Sequence, residues 1–412
     1  MDNVIAEDAT KRPLDPSGRP GRRAGVPQAI LLLAGSCMPI MGSVLLAPVL
    51  PRMGQEFAGT PGSEILVPLV LTAPALMMAL LAPFAGAIAD RTGRKRLLIA
   101  AMIAYAFLGT APVWLDSLAA IVATRVGVGI TEAAIMTCCT TLIADYFVGE
   151  RRNKYLGLQA MLGTLAATAF MALGGALGSG GWQIPFGIYA VSLVIAAAML
   201  FLLWEPGKAD APEAKVPVPW HAVGVPALVS LFGGIVFYAL VVHLPFVIAG
   251  LGATDVSFIG MGAAIAAFAT ALGSISFRWL VRAGTGKLLP AALAVAAIGL
   301  LAVWLAPSPA LAILGAVVAG LGTGVLLPTL LTWALSGLSF SERGRGTGIW
   351  TAAFWSGQFL TPIVIAALGG MAGGLQPGLG FLGALTLVAA AATAFAFTRR
   401  SNHRTAATKA AA

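Results

Sequence analysis

The chain has 412 residues, of which 58% are hydrophobic and only 10% are charged, and its formal net charge is +9. Soluble domains carry about 25% charged residues, so this composition excludes an ordinary soluble protein. The basic residues gather in alternate polar segments between apolar runs, which is typical of membrane topology and argues against nucleic acid as a partner. The three cysteines all lie inside apolar runs, and a disulfide framework is therefore not expected.

Apolar runs long enough to cross a bilayer follow a polar N-terminal tail, residues 1–26. A helix rises about 1.5 Å per residue, so about 20 apolar residues span the hydrocarbon core. The sequence therefore predicts an all-α membrane protein with twelve transmembrane helices. The predicted spans are residues 27–51, 65–89, 97–115, 118–146, 155–178, 183–204, 222–247, 256–280, 288–306, 310–333, 347–369 and 378–398.

The polar segment 205–220 is predicted to link two six-helix bundles, 27–204 and 221–398, and residues 399–412 are predicted to form a C-terminal tail. Motifs of the first half recur in the second: Arg91-Thr-Gly93 as Arg282-Ala-Gly284, Gly127-Val-Gly129 as Gly322-Thr-Gly324, and Glu150-Arg151-Arg152 as Glu342-Arg343-Gly344-Arg345. Two parallel repeats predict pseudo-symmetric bundles with a binding site between them, opened alternately to each side of the membrane.

The placement of lysine and arginine predicts the side of the membrane that each segment faces. All of the 25 basic residues except Arg52 and Arg125 lie in the two tails, in the linker or close to the turns after every second span. The positive-inside rule then places both termini and the turn between Gly86 and Arg96 in the cytoplasm. We expect a multi-pass protein of the inner (plasma) membrane.

Several motifs, in order along the chain, are shared with a known family. They are Gly86-x-x-x-Asp90-Arg91-x-Gly93-Arg94-Lys95, Arg125-x-x-x-Gly129 and Ile143-Ala-Asp-Tyr-Phe-x-x-Glu150-Arg151-Arg152-x-x-x-x-Gly157. On these residues the chain resembles the major facilitator superfamily over essentially its whole length. The resemblance implies the major facilitator fold, a small-molecule substrate and alternating access. One position departs from many proton-coupled drug exporters, since Phe170-Met171 stand where a Gly-Pro pair would precede Gly174-Gly175.

The tight turn between the second and third spans carries a predicted cytoplasmic gate. The resemblance implies that Asp90 helps to latch the cytoplasmic side shut, and Arg91 or Arg94 can pair with its carboxylate. The predicted gate residues are Gly86, Asp90, Arg91, Gly93, Arg94, Glu150 and Arg151. The alternative is that the basic residues of this region only fix the topology.

Two ionisable residues lie deep in the fourth predicted span. Arg125 and Glu132 are seven residues apart, close to two helical turns, and therefore share one side of the helix. A charged group at membrane depth costs about 2.5–3.5 kcal/mol on insertion scales, so such groups are usually paired or functional. We predict that Glu132 exchanges a proton during transport, and that Arg125 tunes its ionisation or binds an anionic substrate. The alternative is a permanent buried ion pair that orients the helix.

His243 is the only histidine inside a predicted span, and an imidazole that titrates near neutral pH can relay protons. It also lies toward the end of its helix, where it would alternatively meet the outer interface. Four further residues are predicted to line an amphipathic cavity: Gln159, Met161, Trp355 and Gln358. Aromatic packing or an interfacial belt is the alternative interpretation of the tryptophan.

These features favour a secondary active transporter over an enzyme. The sequence has no GxxxxGK[ST] loop, no clustered Cys/His set and no nucleophile–base triad, so no cofactor, metal or catalytic site is expected. We predict proton-coupled efflux (antiport) of a small organic molecule by a monomer in the lipid bilayer. The second reading is proton-coupled uptake of an organic anion, with Arg125 binding its carboxylate. The third is a membrane sensor or scaffold that uses the same fold without transport.

Overall fold

The computed structural model describes residues 24–82, 84–206, 220–339 and 342–411, except for the side chains of residues 221, 222 and 400–411. Within these residues every regular element is a helix, and twelve helices are long and apolar enough to cross a membrane. They are α1 Val26–Glu56, α2 Ser63–Leu81, α3 Arg94–Val113, α4 Leu118–Tyr146, α5 Gly149–Gly178, α6 Ile184–Leu202, α7 Val223–Gly250, α8 Val256–Ala283, α9 Thr285–Trp304, α10 Pro309–Leu335, α11 Arg343–Ala372 and α12 Leu375–Arg399. The predicted all-α architecture with twelve membrane helices is confirmed.

Some helices end away from their predicted limits. α2 ends at Leu81 rather than at residue 89, and a separate short helix, Ala85–Thr92, leads into the turn before α3. The sequence has a proline at position 83, and proline lacks the N–H that would continue the helical ladder. The helix of α12 continues to Ala411, past its predicted end at residue 398, because the segment is rich in alanine, a strong helix former.

The repeated turns before α3 and α9 share one backbone conformation. Gly93 precedes α3 with a φ of +89°, and Gly284 precedes α9 with a φ of +80°. Residues with a side chain are strained at such angles, so glycine allows this turn in both halves. The predicted correspondence between the two turns therefore holds in three dimensions.

The paired glycines of α4 and α10 also occupy equivalent positions. A Cβ on Gly127 of α4 would lie 2.8 Å from a side chain of α3. A Cβ on Gly129, two residues later, would lie 2.6 Å from the Cα of Pro74 in α2. In α10, Gly322 contacts α9. A Cβ on Gly324 would lie 2.8 Å from the amide nitrogen of Ser274 in α8. Because glycine lets backbones approach this closely, the fourth helix of each half packs in the same way.

At one end of the molecule, apolar residues of the two bundles pack together in common clusters. We name the ends the Asp90 face, which carries the turn before α3, and the Glu64 face, which carries the first turn of α2. One buried cluster toward the Glu64 face joins α1 and α2 to α7 and α8, and another joins α5 to α8. Among the described residues, the buried clusters toward the Asp90 face each belong to one bundle.

The two bundles are in backbone contact where α5 crosses α8. A Cβ on Gly175 would lie 2.6 Å from the Cα of Gly260, so the two backbones are in contact. The hydroxyl of Tyr238 in α7 donates a hydrogen bond to the carbonyl oxygen of Ser43 in α1. These contacts join the bundles on the side of the Glu64 face.

Candidate functional site

An ion-pair network forms at the turn between α2 and α3. The Nη2 of Arg94 lies 2.7 Å from Oδ1 of Asp90, and its Nη1 donates to the carboxylate of Asp145 at the end of α4. The predicted pairing of Asp90 with a nearby arginine is thus confirmed for Arg94. Arg91, the other predicted partner, is exposed and is not part of this ion-pair network. Arg94 consequently ties the turn to α4.

Glu205, in the segment after α6, binds the first turn of α3. Its Oε1 accepts a hydrogen bond from the amide of Arg94 at 2.6 Å, and its Oε2 accepts one from the amide of Lys95 at 3.1 Å. The first amides of a helix have no partner within the helix and lie at its positive end, so a carboxylate is stabilised there. A Cβ on Gly93 would lie 3.2 Å from the Glu205 carboxyl carbon, so the missing side chain leaves room for the carboxylate.

Neighbouring aromatic residues hold this segment in place. The Trp204 ring stacks on Tyr146 of α4 with ring centres 4.5 Å apart. The Tyr146 hydroxyl donates to the Trp204 carbonyl oxygen at 2.5 Å and accepts from the Trp204 amide at 2.9 Å. The segment that leaves α6 is therefore fixed to both α3 and α4 of the same bundle.

We expect Glu205→Gln to lower the melting temperature of the purified protein. Glutamine has one oxygen to accept hydrogen bonds and no charge for the helix end, so about 1 kcal/mol of stabilisation is lost. Glu56→Gln is the matched control, because Glu56 is an exposed carboxylate at the end of α1. Thermal unfolding of both variants in the same detergent checks the prediction, and equal melting temperatures would show that the cap contributes nothing.

The other predicted gate residues lie outside this network. Glu150 and Arg151 are exposed in the first turn of α5, and neither takes part in the ion pairs of Arg94. Gly86 is half-buried in the short helix Ala85–Thr92, where a Cβ would meet no atom within 4 Å. The structure thus places Asp90, Gly93 and Arg94 together and leaves the remaining gate residues apart.

Arg125 is buried inside the amino-terminal bundle, with 1% of its surface exposed. Its Nη2 donates to the carbonyl oxygen of Leu108 in α3 at 2.7 Å. Its guanidinium carbon lies 5.2 Å from the ring centre of Phe186 and 5.1 Å from that of Tyr189, at the start of α6. Carbonyl oxygens and aromatic faces therefore stabilise this cation. The alternative, a permanent ion pair with Glu132, is not formed in this structure, because neither carboxyl oxygen of Glu132 has a hydrogen-bond partner among the described residues.

Glu132 is fully buried, at 0% exposure, and neither carboxyl oxygen has a hydrogen-bond partner among the described residues. Its Oε1 occupies the position that a Cβ on Gly42 would take, so the carboxyl group packs directly on the backbone of α1. The hydroxyl of Tyr105 lies 3.2 Å from the same position and donates to the Met38 carbonyl oxygen at 2.5 Å. Glu132 is thus a buried acid at the junction of α1, α3 and α4.

A polar cluster joins three helices of the amino-terminal bundle. The Nε2 of Gln159 in α5 donates to the hydroxyl of Ser36 in α1 at 2.7 Å and to that of Thr140 in α4 at 3.1 Å. Gln159 is half-buried, and Met161 on the same helix is 46% exposed. Sequence reasoning found Gln159 but missed its two hydroxyl partners, because contacts between distant helices leave no trace in residue spacing.

The predicted cavity residues of α11 differ in exposure. Trp355 is half-buried, whereas Gln358 is 4% exposed. The adjacent Gly357 lies against α7, where a Cβ would be 3.0 Å from the amide nitrogen of Ile235. Gln358 therefore lies beside the contact of α11 with α7.

His243 is buried in α7, with 4% of its surface exposed, and does not lie at the outer interface. Its Nδ1 donates to the carbonyl oxygen of Ala239 at 3.0 Å. Among the described residues, no three His, Cys, Asp or Glu side chains come together as a metal site. The ionisable groups of the site therefore form four separate centres: the Arg94 network, Arg125, Glu132 and His243.

Comparisons with known sequences agree with this architecture. The sequence profile of the Major Facilitator Superfamily matches residues 32–283. The chain is 28% identical over 364 residues to the multidrug efflux protein YfmO of Bacillus subtilis (strain 168), an alignment that covers 83% of this chain and 86% of that protein. It is 30% identical over 207 residues to the class C tetracycline resistance protein of Escherichia coli, covering 47% of this chain and 48% of that protein.

Solved structures of transporters share the fold. A bacterial homologue of the human lysosomal transporter Spinster, in an inward-facing and occupied conformation, superposes with a TM-score of 0.77 at 19% identity, covering 90% of this chain and 96% of that chain. A D-xylose–proton symporter superposes with a TM-score of 0.71 at 14% identity, covering 89% of this chain and 96% of that chain. At these identities the likeness concerns the fold alone.

Proposed function

Because the chain belongs to the Major Facilitator Superfamily of membrane transporters, we propose that it exports a small organic molecule in exchange for protons by alternating access. The relatives named for multidrug efflux and tetracycline resistance support the direction and the type of cargo. The distribution of basic residues supports an orientation with the Asp90 face in the cytoplasm. In that orientation the Glu64 face lies on the outer side of the membrane, and the two bundles are in contact there.

The burial of Glu132 without hydrogen-bond partners is the observation that carries the proton-coupling part of the proposal. Its carboxyl group is fully buried and its two oxygens lack hydrogen-bond partners among the described residues. A buried carboxylate without partners is strongly disfavoured relative to the neutral acid, so Glu132 carries a proton in this conformation. Deprotonation would place an unpaired charge against the α1 backbone at Gly42, which destabilises this arrangement of helices relative to one that admits water.

The polar cluster of Gln159, Ser36 and Thr140 is the candidate cargo-binding surface of the amino-terminal bundle. Its hydrogen-bonding groups lie on the three helices α1, α4 and α5, and the apolar Leu158 and Leu162 lie on the same stretch of α5. A few placed polar groups beside apolar side chains are typical of small-molecule sites. The guanidinium of Arg125 contacts α3 and α6 within its own bundle, while its Nη1 has no hydrogen-bond partner among the described residues.

Proteoliposomes with an imposed pH gradient test this function. We expect uptake of the cationic dye ethidium into vesicles with an acidic lumen, because protons that leave the lumen drive the dye inward through the antiporter. A protonophore should abolish this uptake, and protein-free liposomes give the background. Dye flux that is equal with and without the gradient would contradict proton coupling. Saturable flux of monocarboxylates without dye flux would instead favour uptake of an organic anion.

A further inference from the structure

A large cavity opens at the Glu64 face, between the two bundles. It lies between α1 and α2 of one bundle and α7, α11 and α12 of the other, and its volume is about 810 Å³. Pockets of about 300–1,000 Å³ hold drug-sized molecules. The cavity thus has the size of a ligand site, and it lies away from Glu132 and the Gln159 cluster.

Residues deep in this cavity are buried, and residues at its mouth are exposed. Val67 and Ile365 are each 1% exposed, and His243 is 4% exposed. Glu64 and Ala366, which also line the cavity, are exposed. A ligand would therefore place its apolar part against the inner wall and keep a polar or charged part near the mouth.

The cavity wall carries four polar side chains, Gln55, Ser63, Glu64 and His243, and the charge of Glu64 determines which ligand charge fits. Glu64 is acidic, and the described residues of the wall include neither lysine nor arginine. His243 donates from Nδ1 to the Ala239 carbonyl oxygen, which leaves Nε2 of the neutral ring as an acceptor. An anionic group near the mouth and an acceptor further in favour a positively charged ligand.

The contact between α1 and α7 separates this cavity from the buried acid. Tyr238 donates to the Ser43 carbonyl oxygen there, in the helix segment that precedes His243. His243 follows Tyr238 by five residues, a rise of about 7.5 Å toward the Glu64 face. The cavity therefore persists while the bundles are joined.

We infer that this cavity is a second binding site, which holds an amphiphilic organic cation at the outer end of the transport path. The inference rests on the proposed export function for its place on that path and for its cargo class. Binding itself requires only the cavity and the carboxylate of Glu64.

Two probes of the same shape and opposite charge test the site: tetraphenylphosphonium and tetraphenylborate, measured by equilibrium binding to the full-length protein in nanodiscs after the binding to protein-free nanodiscs is subtracted. We expect the cation to bind about tenfold more tightly than the anion, because Glu64 attracts one and repels the other. Glu64→Gln should weaken cation binding about tenfold, and Ala366→Trp, which fills the mouth, should weaken binding of both probes. Glu56→Gln removes an exposed carboxylate outside the wall and should change neither affinity.

Unchanged cation affinity in both Glu64→Gln and Ala366→Trp would overturn the inference, as would a wild-type protein that binds neither probe. Cation binding that depends on Glu132 and ignores Glu64 would also overturn it, by placing the probe deeper between the helices. Retained, Glu64-dependent binding together with no proton-driven export would contradict the proposed function and leave the second site standing.

Discussion

Glu132→Gln is expected to abolish proton-driven accumulation of cargo while the protein still folds. Glutamine has nearly the volume of the protonated acid and stays neutral, so it fits the space beside Gly42 without placing a charge there. The variant cannot bind and release a proton at this position, so a pH gradient can no longer drive the conformational change. Accumulation in proteoliposomes with an acidic lumen should fall to the background of protein-free vesicles.

The same preparation supplies the control for this prediction. Exchange of labelled for unlabelled cargo at equal pH on both sides needs no net proton movement, and we expect Glu132→Gln to retain it. An unchanged melting temperature would show that the fold is intact. Full gradient-driven accumulation by the variant would remove Glu132 from the coupling mechanism.

Gly260→Val is expected to shift the protein away from the conformation with joined bundles and to slow transport strongly. A Cβ on Gly260 would lie 2.5 Å from the Cα of Gly175, and a valine carries two further methyl groups. Overpacking of this kind costs about 1–3 kcal/mol, which changes the population ratio of two states about 5- to 150-fold. The contact is between bundles, so each bundle should still fold by itself.

A cysteine at Val256, which is 1% exposed and belongs to the cluster between the bundles, reports this shift. We expect a membrane-impermeant maleimide added to the outer side to label Val256→Cys slowly in an otherwise unchanged chain and quickly together with Gly260→Val. Gly187→Val is the matched control, since Gly187 is exposed at the start of α6 and a Cβ there meets nothing within 4 Å. Equal labelling rates with the two valine substitutions would refute the shift.

The sequence predicted the features that depend on local spacing. Length and apolarity are enough to identify membrane helices, and Asp90 and Arg94 are only four residues apart along the chain. Identical glycine spacing in α4 and α10 predicted equivalent packing of the two bundles. Each of these features depends on residues within one or two helical turns, or on a pattern that occurs twice in the chain.

The partners of the deep polar groups could not be predicted, because they come from distant segments. Glu205 binds the amide of Arg94 across 111 positions of sequence, although its place in a polar linker suggested no role. Helical periodicity placed Arg125 and Glu132 on one side of α4 but could not show that α3 and α6 supply the contacts of the arginine. Proline at position 83 was visible in the sequence, yet the uncharged run around it predicted one unbroken span.

The contacts of Arg125 have a consequence for biosynthesis. Its partners lie on α3, which the ribosome makes earlier, and at the start of α6, which the ribosome makes about 60 residues later. Until Phe186 and Tyr189 emerge, α4 carries a cation that the lipid tolerates poorly. We therefore expect the nascent α4 to stay beside α3, in the translocon or at its lipid boundary, until α6 arrives and completes the surroundings of Arg125.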